Sequence, residues 1–191
     1  MKKILIVMVS IALLLSSCNY LGFLILADKH HTIYRLSETR CSTLFGIGPA
    51  DAVQSFKEAE WLQGHYISAA VDNDGYFVFV LSDDDVKVWK NYYQPRIDET
   101  LQIIEEQGEQ RVVLNAEYTK IEYSINAEGC MSFMLRYLCF MSYGGIINLL
   151  NGVDIETWQV ETTVYNIDNQ DVIWHGFWPQ DKPVIDPKDF A

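Results

Sequence analysis

At 191 residues, 49% of them hydrophobic and 13% aromatic, this is not a disordered chain. It has room for a short targeting segment plus one domain of roughly 130–150 residues that buries a real core. Fourteen basic residues stand against 26 acidic ones, a formal −12, which repels polyphosphate and removes nucleic acid from the expected partners.

The amino terminus reads Met1-Lys2-Lys3 and then ILIVMVSIALLL, a basic start followed by an apolar stretch of signal-peptide length. The stretch closes on Leu15-Ser16-Ser17-Cys18. That tetrapeptide resembles the lipobox of bacterial lipoproteins, in which a branched apolar residue and two small residues precede the cysteine. The small residues matter because the peptidase must reach the bond before Cys18. The resemblance implies diacylglycerol transfer to the Cys18 sulfur, cleavage before Cys18, and acylation of the new amine by a chain such as palmitate. Cleavage would remove Lys2 and Lys3 and leave 12 basic residues against 26, a formal −14.

A polar tether usually follows such a cysteine, whereas NYLGFLILA follows this one, so the apolar run extends from Ile4 to Ala27. Those 24 residues would also cross a bilayer as an uncleaved helix, which needs about 20. Lipid on Cys18 and an uncleaved N-terminal helix therefore both stand, with simple secretion a third course. Lys2 and Lys3 stay on the cytoplasmic side in the first two, so the domain lies outside the cytoplasm, held to the cell membrane or outer membrane. The resemblance also bears on that address: Asn19 is not the aspartate that favours inner-membrane retention in envelopes with two membranes.

Residues 28–48 show no clear period and read as a linker that packs partly on the domain. Pro49 suits a first helical position, and Val53, Phe56 and Ala59 share one face of a helix over 49–62. YISAAV and YFVFVL around DNDG make a hairpin. Ser82 and Asp83-Asp84-Asp85 then cap a helix with an apolar stripe of Trp89, Tyr93, Ile97, Leu101 and Ile104. Gly108 ends that helix, and Pro95 predicts a kink or break inside it. RVVLNAEY and KIEYSIN form a second hairpin, residues 128–151 a second long helix, and ETWQVETTVYN with DVIWHGFW a third hairpin.

The expected fold is α+β in the order ββα-ββα-ββ: one mainly antiparallel sheet of about six strands with two or three helices packed on it. The expected layout is a signal peptide over 1–17, anchor and linker over 18–48, a single domain over 49–178, and a loose tail over 179–191. Equivalent helix starts at Asp83 and Glu128 suggest a duplicated unit.

Residues 130–150, CMSFMLRYLCFMSYGGIINLL, are apolar nearly all round, with Arg136 the only charge. A core helix accounts for them best, with a second membrane span or a partner surface as alternatives. YFVFVL is apolar on both faces and asks for cover on both sides of its sheet. Cys130 and Cys139 would be about 13 Å apart along one helix, too far to bridge, so a disulfide would have to involve Cys41; otherwise the thiols are buried and unpaired.

Asp72-Asn73-Asp74-Gly75 fails the EF-hand spacing, which would put Ala70 at the first ligand position. No GxSxG, SxxK, HExxH, CxxC or phosphate-loop motif occurs, and His30, His31, His65 and His175 form no ligand pattern. No catalytic, metal or cofactor residue is assigned. Trp174 and Trp178, the latter beside Pro179 at a strand end, and Arg136 are the candidate binding surface. The expected function is a non-catalytic module that binds another envelope protein or its own copy. A small-ligand module for sugar, lipid or peptide is the alternative, followed by an envelope hydrolase built from scattered carboxylates and His175.

Overall fold

The computed structural model describes residues 31–190. The signal segment, Cys18, the uncleaved-helix alternative and His30 lie outside the described residues.

The first layer is a three-stranded antiparallel sheet of β1 (His31–Leu36), β2 (Ser68–Val71) and β3 (Phe77–Ser82), in the order β1-β3-β2. Between β1 and β2 lie α1 (Glu38–Phe45), α2 (Pro49–Glu58) and a 3-10 turn at Glu60–Leu62. The β2–β3 turn is organised by Asp72, whose Oδ1 accepts from the Asp74 and Tyr76 amides at 2.9 and 3.0 Å. Arg35 of β1 donates to Asp72 and Asp74, both at 2.7 Å, so this acidic turn is tied down by a cation of its own fold.

Ser82 then caps α3 (Asp83–Gln107) through a reciprocal box: its hydroxyl accepts from the Asp85 amide, and the Asp85 carboxylate accepts from the Ser82 amide. The acidic triplet at 83–85 thus serves the helix start. Pro95 lies inside this helix without ending it. Pro95 and Asn91 both lie on the exposed face of the helix, where the bond that proline cannot give to the Asn91 carbonyl is least costly to lose.

The second layer is a four-stranded sheet in the order β4-β5-β6-β7: β4 (Gln110–Leu114), β5 (Lys120–Ile125), β6 (Val160–Asn166) and β7 (Val172–Trp178). β4–β5 and β6–β7 are antiparallel hairpins, while β5 and β6 run parallel across the connection made by α4 (Cys130–Leu150). α4 lies on the sheet through Phe133, Tyr137 and Phe140, which ring Tyr123 at centroid distances of 4.9–6.2 Å. It meets α3 where Tyr93 faces Tyr143 at 5.7 Å, and α1 where the Ser142 hydroxyl donates to the Leu44 carbonyl. One continuous apolar core therefore joins both layers.

All three expected hairpins are present, and the α+β class holds. The single sheet of about six strands with two or three helices does not: among the described residues seven strands divide between two sheets, and the α-helices number four. The seventh strand comes from the segment read as linker, where β1 and α1 put Leu36, Cys41 and Leu44 into the core. The two ββα units also differ. α3 leads into a new sheet, whereas α4 returns the chain beside its own hairpin. In the tail, Ile185 and Phe190 pack partly against the core, and the Cys130 thiol donates to the Ile185 carbonyl at 3.4 Å.

Candidate functional site

β7 and α4 carry the candidate binding residues and place them differently from the expectation. Trp178 is buried rather than exposed, 5% accessible, with its ring edge-on to Trp158 at 5.6 Å. Trp174 is half-buried and lies over Gly176, where even a Cβ would come within 2.6 Å of its ring. Arg136 projects toward α3 and donates to the Gln107 carboxamide; among the described residues its Nη1 is buried without a partner. No hydrogen bond, ring contact or cation–π contact joins Arg136 to either tryptophan. The three residues do not make one surface.

α4 itself is the one described helix long and apolar enough to cross a membrane, over Ser132–Leu150. Here it is the core helix: Ile146–Leu150 are buried throughout. Its amino-terminal half is different. Leu135 is 71% exposed, Leu138 49% and Met134 38%, a stripe of i, i+3 and i+4 neighbours.

The outer face of the second sheet carries paired polar groups. His175 meets Glu161 at 3.2 Å and Lys120 meets Glu122 at 3.0 Å, beside the exposed Phe177. All four side chains are at least a third exposed, on an open sheet face. Among the described residues no group of three or more His, Cys, Asp or Glu side chains is placed to hold a metal ion. Cys41, Cys130 and Cys139 are unpaired. Burial pushes the Cys41 thiol up to about 12, and burial, followed by Asp186 and Asp189, raises Cys130. Thiols held protonated in this way are poor nucleophiles.

The feature that the sequence reading did not single out is an aromatic cavity of about 190 Å³ between α1, α2 and α3. Phe45, Phe56, Trp61, Trp89 and Tyr93 supply its rings, and Ala52 and Ser55 stand in its α2 wall. Phe45 and Phe56 meet edge to face at 6.0 Å, and Phe56 tilts against Trp89 at 5.4 Å. The Trp89 indole N–H donates to the His65 carbonyl at 2.9 Å, which fixes that ring. The sequence signal was local aromatic density: Phe56, Trp61 and Tyr66, then Trp89, Tyr92 and Tyr93. A second, more open cleft of about 220 Å³ runs between β1 residues Thr32–Arg35 and the loop through Asp154 and Glu156.

The chain matches no protein-family model, no curated protein and no solved structure.

Proposed function

We propose that this protein is an exported lipoprotein, anchored through lipid on Cys18, whose α+β domain is a non-catalytic interaction module outside the cytoplasm. The observation that carries the reading is the ordered series Lys2-Lys3, apolar stretch, Leu15-Ser16-Ser17-Cys18. A partner-binding role for the domain is supported by the Met134, Leu135 and Leu138 stripe, which leaves large apolar side chains in water on a helix whose other described side chains are buried or half-buried. The partner is another envelope protein or a second copy.

The anchor is tested by the intact mass of the native protein from its membrane fraction, beside a Cys18→Ala variant. The expected species begins at Cys18 and carries added acyl mass, and it disappears in the variant. A full-length, unmodified mass in the wild type would overturn the lipid anchor and leave an uncleaved helix in its place.

A further inference from the structure

We propose that the cavity between α1, α2 and α3 is a binding site for a small uncharged aromatic ring that carries one hydrogen-bonding group. The size fits a single ring: an enclosed apolar cavity of about 150 Å³ in another protein takes up benzene, and this one, open to solvent on one side, offers about 190 Å³. Its walls are aromatic faces and edges with centroids 5–6 Å apart, Phe56 to Trp89 at 5.4 Å and Trp61 to Trp89 at 5.5 Å. At these distances the wall rings pack on one another and hold each other in place, and the faces and edges they turn toward the cavity are what another ring would meet. An inserted ring would displace water from this apolar lining and gain dispersion contacts with it.

Among the described residues no ionised side chain lines the cavity, so a charged ligand would lose hydration without a counter-charge. The polar groups in reach are neutral. Ser55 is exposed on α2, and burial holds the Tyr93 phenol well above its ordinary range. A hydroxyl or ring N–H on the ligand would meet the first of these. The absence of a lining cation and the small volume disfavour a fatty acid.

The wall is also pre-set. Trp61, on the 3-10 turn after α2, stacks on Tyr92 at 3.8 Å with an interplanar angle of 3°. The Arg96 guanidinium lies 3.4 Å from the other participant, the Tyr92 ring, and is held there by its bond to the Tyr92 carbonyl. This stack of indole, phenol and guanidinium orders Trp61 before a ligand arrives, so less rotamer entropy is lost on binding. The site is independent of how the chain is anchored.

The test uses the full-length protein in lipid nanodiscs and 4-fluorophenol followed by fluorine NMR line width, with empty nanodiscs as the reference. Saturable broadening above that reference is expected from the wild type. Ala52→Leu and Ser55→Leu each fill the cavity and are expected to weaken binding by about tenfold or more. Ser55 is exposed, so its variant decides the matter if Ala52→Leu fails to fold, as judged by circular dichroism. Broadening no greater than in empty nanodiscs, or unchanged affinity in folded Ser55→Leu, would overturn the site.

Discussion

Gly145 sits where α1, α4 and the segment around Trp158 converge. A Cβ built there would lie 2.3 Å from Leu44 Cδ2 and 2.7 Å from the Trp158 ring, distances that real side chains do not reach. Both neighbours are buried, at 1% and 4% exposure, so neither can swing away. Alanine would gain about 1 kcal/mol of helix propensity but would overpack a filled core, typically a cost of about 1–3 kcal/mol. Gly145→Ala is therefore expected to lower the urea midpoint. Gly144→Ala is the control: its Cβ meets the Tyr118 side chain at 3.0 Å, a milder crowding that the same propensity gain largely offsets. Equal midpoints for the two variants would contradict this packing. In the sequence, Gly144-Gly145 reads only as an interruption of an apolar helix, because close approach belongs to partners 101 residues upstream and 13 downstream of Gly145.

At the scale of elements, the segment 31–45 has a period too weak to be read locally. In His31–Leu36 only Tyr34 and Leu36 turn inward, and in α1 the buried set is Arg40, Cys41 and Leu44. What holds the segment is distant. β1 pairs with β3, and the Ser37 amide and hydroxyl both donate to the Glu156 carboxylate, at 3.0 and 2.9 Å. Arg40 reaches the Glu156 carbonyl. Leu36→Ala should thus cost about 2–5 kcal/mol in equilibrium unfolding, as for a core leucine; a change near zero would make the segment the linker that its sequence suggests. The legible parts of the fold were those with local causes: the N-cap at Ser82, the DNDG turn, the stripe from Trp89 to Ile104 and all three hairpins. The partition into two sheets was not legible, because β1 pairs with β3 across 43 residues of sequence, from Arg35 to Val78, and β5 with β6 across 41, from Glu122 to Thr163. The cavity was obscured for a similar reason. Trp89 and Tyr93 fit a helix stripe so well that periodicity alone says nothing of the gap beside them. Trp178 misled through its neighbour Pro179, since a proline at a strand end does not reveal that Trp158 covers the ring.

At the scale of the molecule, an acidic body with an exposed apolar stripe constrains its own associations. Each copy carries a formal −12, or −14 after cleavage before Cys18. Two copies meeting through Met134, Leu135 and Leu138 would bury apolar area against this like-charge repulsion. Salt shortens the screening length from about 10 Å at 0.1 M to about 3 Å at 1 M, so self-association should strengthen as salt rises. A basic envelope partner would show the opposite trend, because its attraction to the acidic surface is what screening removes. Sedimentation of the full-length protein in detergent, at low and high salt, separates a second copy from a basic partner. Leu135→Lys with Leu138→Lys tests the surface itself. Both side chains are at least half exposed or nearly so, at 71% and 49%, and the double variant should fold with a thermal midpoint close to that of the wild type. If the stripe is the contact, association falls by about tenfold or more, since two leucine contacts are lost and two ammonium groups are placed in an apolar seam. Association unchanged in the folded variant would move the contact off α4 altogether.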